Sequence, residues 1–396
     1  MLDAVKKVSR VLKQEGVTGA VNRVKYRRDN LLMTERAHMP LQSFTVSGKG
    51  RLKARFLAEL ARHGLLGAAT ATTTGRKLVF NPDREDFNGR DGVTVVLEDD
   101  YLDAIPNLGD DALARLFPGC PLIVTSGAGL KKAVAAGAEL RNVTLVPTDE
   151  SANETRLAIG RWLVYAGALP PDIYFADLMA FGAPIRNRNC VCISLPEYHS
   201  RRETFQDDVD PKFKFFNGLR MLPAWKGCAW SYKVIAAKAL QSGARRLTIC
   251  EDDASFGRDF PRYYAAINRY LDRTRWDVFN GVMTRVSGRA DIMLQKPMGD
   301  ASIIHTSHMM GMVFNVYNRT ALEWMADWNP DEGGAETNTI DEWLNAMPGL
   351  RVVSAVPFVA GHREDVHSTI FGFKNIRYSG MISATEQKIL SQLKPV

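Results

Sequence analysis

The sequence predicts an α/β protein made of two successive units, the first with a largely parallel sheet. Three observations carry that prediction. Short apolar runs alternate with stretches of helical apolar spacing along most of the chain, the pattern of strand–helix–strand repeats. Ala183-Pro184 and the polar run Arg186-Asn187-Arg188-Asn189 interrupt the alternation, which then begins again. The 396 residues suffice for two or three domains, and 45% hydrophobic with 24% charged residues is ordinary for a globular chain.

In the first unit, residues 51–63 have helical spacing, with Leu52, Phe56, Leu57 and Leu60 on one side. Residues 77–81 and 93–97 are predicted strands. Residues 121–125 form a strand, 129–136 a helix and 143–146 a strand. Ser151 and Glu154 have capping-box spacing and open a helix to about residue 166. Residues 173–175 read as one more strand. The turn Ser126-Gly127-Ala128-Gly129 follows a strand and opens a helix, as a phosphate-binding turn would. Lys132 stands where a dinucleotide fingerprint has its third glycine, so a plain tight turn is the stronger reading. No function is legible in residues 31–182.

The second unit, residues 183–380, opens with a strand at 190–195, a helix at 199–206 and a strand at 212–216. A helix at 227–241 leads to a strand at 247–250, then a helix at 260–271. Strands follow at 278–279 and 312–316, helices at 321–328 and 340–347, and a strand at 351–356. Residues 381–396 hold a terminal helix centred on 385–393.

The formal net charge is +7, and it is concentrated. The first thirty residues hold eight basic side chains against three acidic ones. Val5, Val8 and Leu12, then Val17, Val21 and Val24, recur at helical spacing within residues 1–30. Such a basic amphipathic segment suits an anionic membrane surface. It equally suits a solvated helix packed on its own protein. Tyr26 alone supplies aromatic character there, which argues against nucleic acid. No run is apolar and long enough to span a bilayer, and charges interrupt the N-terminus where a secretory segment would need an apolar core. The five cysteines are odd in number and lack a Cys-x-x-Cys pair. Reduced, buried thiols are expected, in a cytoplasmic protein or one peripheral to the inner face of the cytoplasmic membrane.

The chemistry-bearing feature is Arg246-Leu-Thr-Ile-Cys-Glu-Asp-Asp-Ala254, an apolar strand ending in Glu251, Asp252 and Asp253. Ligands of open α/β sheets bind outside the carboxyl ends of the strands. Clustered carboxylates repel, and a hard divalent cation completed by substrate phosphates is their natural partner. The same string is also compatible with a solvated loop. Glu98-Asp99-Asp100 repeats it after another strand, which raises a further expectation: that residues 31–180 are a degenerate second copy of the same unit.

Further motifs fall in order around the string: Val191-Cys192-Ile193-Ser194-Leu195, Ser200-Arg201-Arg202-Glu203, Phe215-Phe216-Asn217-Gly218 and Gly227-Cys228-Ala229-Trp230-Ser231. After the acids come Thr339-Ile340-Asp341-Glu342-Trp343-Leu344, Val356-Pro357 and Ser368-Thr369-Ile370. Over residues 188–372 this ordered set resembles glycosyltransferase family 25, the lipooligosaccharide and collagen galactosyltransferase type. The chain departs from it once, with Tyr232 where the family has His. Tyrosine donates a hydrogen bond but carries no positive charge near neutral pH.

The resemblance implies a GT-A-like (Rossmann-like) glycosyltransferase domain preceded by a second α/β domain. It implies an inverting hexosyltransferase with a nucleotide-sugar donor, most simply a UDP-sugar, and a glycan or glycolipid acceptor such as a bacterial cell-envelope lipopolysaccharide. Mn²⁺ or Mg²⁺ would be held by Asp253 with Glu251 or Asp252, and His362 is the late histidine ligand. Ser194, Leu195, Arg201, Arg202, Ser231, Tyr232, Glu251, Asp252 and Ser368 would line the donor. An inverting transfer needs a base for the acceptor hydroxyl. Asp341 is the candidate and Glu342 its neighbour, although an acid opening a helix is also favoured by the helix dipole. Two other functions compete: a nucleotide- or glycan-binding protein without turnover, and a metal-dependent phosphohydrolase.

Overall fold

A computed structural model describes residues 17, 43–67, 76–82, 92–104, 120–206, 212–286, 292–364, 366 and 378–393. The basic segment of residues 1–30, apart from Val17, lies outside the described residues, as does Ser368. The chain divides into two compact units. One comprises residues 35–183 with 195–199; the other takes in 184–194 and the chain from 200 onward.

The first unit is built on a five-stranded sheet of order β1-β2-β3-β4-β5, parallel throughout. Its strands are β1 (Phe44–Gly48), β2 (Arg76–Phe80), β3 (Val93–Leu97), β4 (Leu122–Val124) and β5 (Val143–Leu145). Its helices are α1 (Lys53–Arg62), α2 (Asp99–Ala104), α3 (Gly127–Ala135), α4 (Ala152–Tyr165) and α5 (Pro171–Phe181). Side chains alternate between sheet faces, so Phe44 and Phe80 fall on one face and Val95, Leu97, Leu122 and Val124 on the other. Phe56 of α1 packs edge-on against Phe80, and Trp162 of α4 lies 5.3 Å from the Phe44 ring. Leu102 of α2 and Leu130 and Ala133 of α3 cover the opposite face. Parallel sheets are covered on both faces in this way.

Residues 173–175 are a turn of α5 rather than a strand. Pro171 sits in the first turn, where its fixed φ and missing N–H cost nothing. Tyr174 and Leu178, four apart, are buried. The segment is apolar almost all round, which hid its helical period. Tyr174 packs where Gly160 leaves room, since a Cβ there would come within 2.8 Å of the ring. The capping box of α4 is formed: Ser151 Oγ accepts from Glu154 N–H while the Glu154 carboxylate accepts from Ser151 N–H.

The second unit contains an eight-stranded mixed sheet of order β11-β12-β14-β10-β13-β8-β6-β7. Its strands are β6 (Cys190–Ser194), β7 (Lys214–Asn217), β8 (Arg246–Glu251), β10 (Val278–Asn280), β11 (Leu294–Met298), β12 (Ala301–Thr306), β13 (Phe314–Asn318) and β14 (Val352–Val356). A separate pair joins β9 (Ala254–Phe256) to β15 (Ala360–His362). The helices are α6 (His199–Gln206), α7 (Ala224–Gln241), α8 (Phe260–Leu271), α9 (Arg319–Asp327), α10 (Ile340–Asn345) and α11 (Tyr378–Leu390). β6, β7 and β8 run parallel, and β13 is antiparallel to β8.

Cys192, Cys250 and Phe314 are register partners on one face, beneath Phe260 and Tyr264 of α8. Tyr317 lies on the other face, against Tyr232 of α7. The five cysteines are free, and four of them are buried. Burial raises the pKa of Cys190, Cys192 and Cys250, which keeps these thiols protonated. At the strand ends away from the acids, Asp277 is fully buried in a fork with Arg351, its two oxygens accepting from Nε at 2.9 Å and from a terminal nitrogen at 2.6 Å.

The two sheets differ in strand order and direction, so the first unit is not a degenerate copy of the second. Among the described residues no helix is long and apolar enough to cross a membrane.

Candidate functional site

β6 leads to β7 on one side, while β8 lies on its other side. The crevice outside the carboxyl ends of β6 and β8 is therefore a switch point, the place where open α/β sheets bind ligands. Ser194 ends β6 and Glu251 ends β8, so the sequence delivers its most polar strand ends to that crevice.

Strand alternation separates the three acids. Glu251 points to the α7 face, where the Cys228 thiol donates to its Oε1 at 3.6 Å. Asp252 points the opposite way, is 4% exposed, and accepts from Ser194 Oγ at 2.6 Å. Arg201, from the first turns of α6, forms an ion pair with Asp252 and reaches Asp253 at 3.2 Å. Asp253 faces a third partner, His362 Nε2, at 3.3 Å. That meeting depends on the β9–β15 pair, in which His362 registers with Ala254 directly after the acids. Arg363 N–H donates to the Asp253 carbonyl at 2.7 Å and closes the turn. Tyr378 stacks on the His362 ring at 4.5 Å.

The acids divide electrostatically as well. Burial, reinforced by the charges of Asp253 and Asp252, pushes the Glu251 carboxyl up to about 8. Burial raises Asp252 to about 6 despite Arg201. For Asp253 burial acts upward too, but the hydrogen bond with His362 and the charge of Arg201 outweigh it, and its pKa falls below the ordinary value. Glu251 is thus the neutral acid of the string near pH 7, and Asp253 is the one held below its ordinary range. Its Oδ1 and the Nδ1 of His362 are both buried without a hydrogen-bond partner among the described residues.

Asp341 opens α10. Its Oδ2 accepts from Gly311 N–H at 3.2 Å and its Oδ1 from Glu342 N–H at 3.2 Å. It lies close enough to the acids that the Cys228 thiol is raised by desolvation and by the charges of Glu251, Asp341 and Asp253 together. Glu342 approaches Arg285 at 3.6 Å instead.

Other sequence candidates are occupied inside the fold. Arg202 donates to the Ser194 carbonyl and to Asn217 Oδ1, both at 2.8 Å, and lies over the Phe215 ring. Ser231 is fully buried, accepting from Leu219 N–H and donating to the Gly227 carbonyl, each at 2.8 Å. Tyr232 is fully buried and donates to the Met312 carbonyl at 2.9 Å. Leu195 is half-buried just past β6 and belongs to the first unit. Arg201 is 5% exposed and committed to the acids, so it serves them as a counter-charge.

Among the described residues, no group of three or more His, Cys, Asp or Glu side chains could hold a metal ion. Asp253 and His362 together supply two donor groups of the right chemistry, a carboxylate oxygen and a ring nitrogen. Mg²⁺-type sites with few protein ligands fill their shell with water and substrate phosphate. Sequence reading missed Cys228 as the partner of Glu251, Asn217 as the partner of Arg202, and the loop before β13. In the first unit, the Ser126 turn is self-contained: Ser126 Oγ donates to Asp99 and accepts from Gly129 N–H, and the His199 ring lies 3.4 Å from where a Gly127 Cβ would be. Compared with known proteins, the chain matches no family model and no curated protein.

Proposed function

We propose that the second unit is an inverting glycosyltransferase of Rossmann-like, GT-A type, moving a sugar from a nucleotide-sugar donor to a glycan acceptor. The observation that carries this reading is the meeting of Asp253 and His362 at the switch point, each with a buried polar atom left without a partner. An unpaired buried polar atom costs about 1–3 kcal/mol. A bound cation would remove that cost at Asp253 Oδ1. The ordered motifs of residues 188–372 and their likeness to glycosyltransferase family 25 support the same reading. Residues 1–30 suit an anionic membrane surface, where a lipid-linked acceptor would be met.

Asp253 and His362 would hold the divalent ion, Mn²⁺ or Mg²⁺. When bound, the ion supplies positive charge to the departing nucleoside diphosphate. Arg201 keeps Asp252 and Asp253 together against their mutual repulsion. Asp341 takes the proton of the acceptor hydroxyl as the new glycosidic C–O bond forms and the bond from the anomeric carbon to phosphate oxygen breaks. The two backbone N–H groups on its carboxylate fix its orientation without neutralising it.

The test is nucleoside diphosphate release from a panel of nucleotide sugars with Mn²⁺ and a mixed glycan acceptor. Acceptor-dependent release that Asp341→Asn abolishes is expected. Nucleotide binding with no release from any donor would favour a binding protein, and phosphate release from simple esters would favour a phosphohydrolase.

A further inference from the structure

The chain just before β13, Met309 to Val313, has no regular partner strand, yet each of its five carbonyls is held. Asn345 of α10 donates to the Met309 carbonyl at 2.7 Å and accepts from Met309 N–H at 3.0 Å. Thr284 N–H donates to the Met310 carbonyl at 2.9 Å. Asn280 and Asn315 both donate to the Gly311 carbonyl, at 2.9 and 3.2 Å. Tyr232 holds the Met312 carbonyl, and Glu251 N–H holds that of Val313 at 2.9 Å. The remaining link is functional: Gly311 N–H donates to Asp341 Oδ2.

Most irregular segments meet their backbone hydrogen-bonding needs with water. Here two of the carbonyls take backbone N–H groups and the other three take side chains from four elements, of which Tyr232, Asn280 and Asn315 are fully buried. Two asparagines inside apolar strands are costly unless satisfied. Asn280 Nδ2 also donates to Asn315 Oδ1 at 2.7 Å, so both amides aim at one carbonyl, while Asn280 Oδ1 is buried without a hydrogen-bond partner among the described residues. Gly311 has φ +123°, a conformation that side chains rarely adopt, and a Cβ there would come within 3.2 Å of the Val282 carbonyl. The loop thus runs from the backbone of Glu251 at one end to the carboxylate of Asp341 and the side chain of Asn345 at the other.

We infer that Met309–Val313 is a clamp that sets the position of Asp341 relative to the acids ending β8, with Tyr232, Asn280 and Asn315 as its positioning residues. Tyr232 thereby acquires a role in place of direct donor contact: its hydroxyl fixes the Met312 carbonyl, two peptides along from the one whose N–H holds the base. Displacements near 1 Å at a reacting group can cost about 100-fold in rate. The catalytic consequence rests on the transferase reading; the mechanical coupling does not.

Tyr232→Phe and Asn280→Ala separate the two. Hydrogen exchange of the peptide covering residues 309–313 is followed alongside the carbon-13 titration of the Asp341 carboxyl and, with a donor found, kcat and KM. The clamp predicts faster exchange confined to that peptide, a moved Asp341 titration, and kcat lowered about 10-fold with donor KM unchanged. Unchanged exchange and titration in both variants would overturn it. Loosened exchange with unchanged kcat would overturn the positioning role. Should wild-type protein turn over no donor, the transferase reading fails, and exchange and titration still decide the clamp. If Tyr232→Phe does not fold, Asn280→Ala carries the same comparison.

Discussion

Glu98-Asp99-Asp100 and Glu251-Asp252-Asp253 are the same three residues after similar strands, and the fold uses them oppositely. In the first unit the acids are structural pins. Glu98 is 7% exposed, and its carboxylate accepts the N–H groups of Arg51 and Leu52 at 3.0 and 2.8 Å, where α1 begins. Asp99 holds Ser126, and Asp100 pairs with Arg51 at the surface. In the second unit Arg201 holds Asp252 and Asp253 together at high electrostatic cost, Glu251 is neutral near pH 7, and Asp253 keeps one oxygen unpartnered among the described residues. What distinguishes them is where the next element goes. After Glu98 the chain turns into α2, and the carboxylates meet helix N-termini. After Asp253 it enters β9, and β15 brings His362 alongside.

The largest test compares two buried arginines. Arg161 is paired with Glu197 inside the first unit, and both side chains are almost wholly buried. Arg161→Met leaves a buried carboxylate alone and should cost about 3–5 kcal/mol in urea unfolding, whatever ion is added. Arg201→Met should cost a similar amount in chelator, and Mn²⁺ should return part of it. If Mn²⁺ rescues both or neither, the contrast between the acid strings fails.

Next in size, Asp253→Ala should lower turnover about 10²–10³-fold, while Asp99→Ala leaves it unchanged. Equal losses would mean that the second string is structural as well.

Much of this was legible in the sequence, and its limits have physical causes. Strands buried on one or both faces, and helices with a clear apolar stripe, announce themselves by period. β9 and β15, three residues each, carry no period at all, yet they deliver His362 to Asp253. The β11–β12 hairpin was missed although Gly299-Asp300 is a two-residue turn signal. Pro297 weakened the strand pattern there, and β11 tolerates it as an edge strand. The motif residues Ser194, Arg201 and Asp252 do converge. The occupation of Ser231, Tyr232 and Arg202 by backbone carbonyls and neighbouring side chains depends on tertiary neighbours far along the chain. Asn280 and Asn315 offered a signal, polar residues inside apolar strands, but not their shared target.

A smaller effect sharpens the comparison further. Glu98→Ala should cost about 2–3 kcal/mol, because two helix N–H groups lose a charged acceptor. Glu251→Gln should not destabilise metal-free protein at pH 7. The Glu251 carboxyl titrates near 8 in the fold and near 4.5 unfolded, so the folded state holds the extra proton between those values. Stability therefore falls as pH rises from about 4.5 to 8, by at most about 1.4 kcal/mol per unit. Glu251→Gln removes that slope. An unchanged slope in chelator would contradict the assignment of Glu251 as the protonated acid.

The most direct test is the thermal midpoint of the protein with UDP and the other common nucleoside diphosphates, with and without Mn²⁺, in wild type, Asp253→Ala and Asp99→Ala. A ligand that binds only the folded state raises the midpoint by mass action. The account predicts a rise that needs both Mn²⁺ and the nucleotide, persists in Asp99→Ala and disappears in Asp253→Ala. A rise that survives Asp253→Ala, or no rise in wild type with any nucleoside diphosphate, would contradict it.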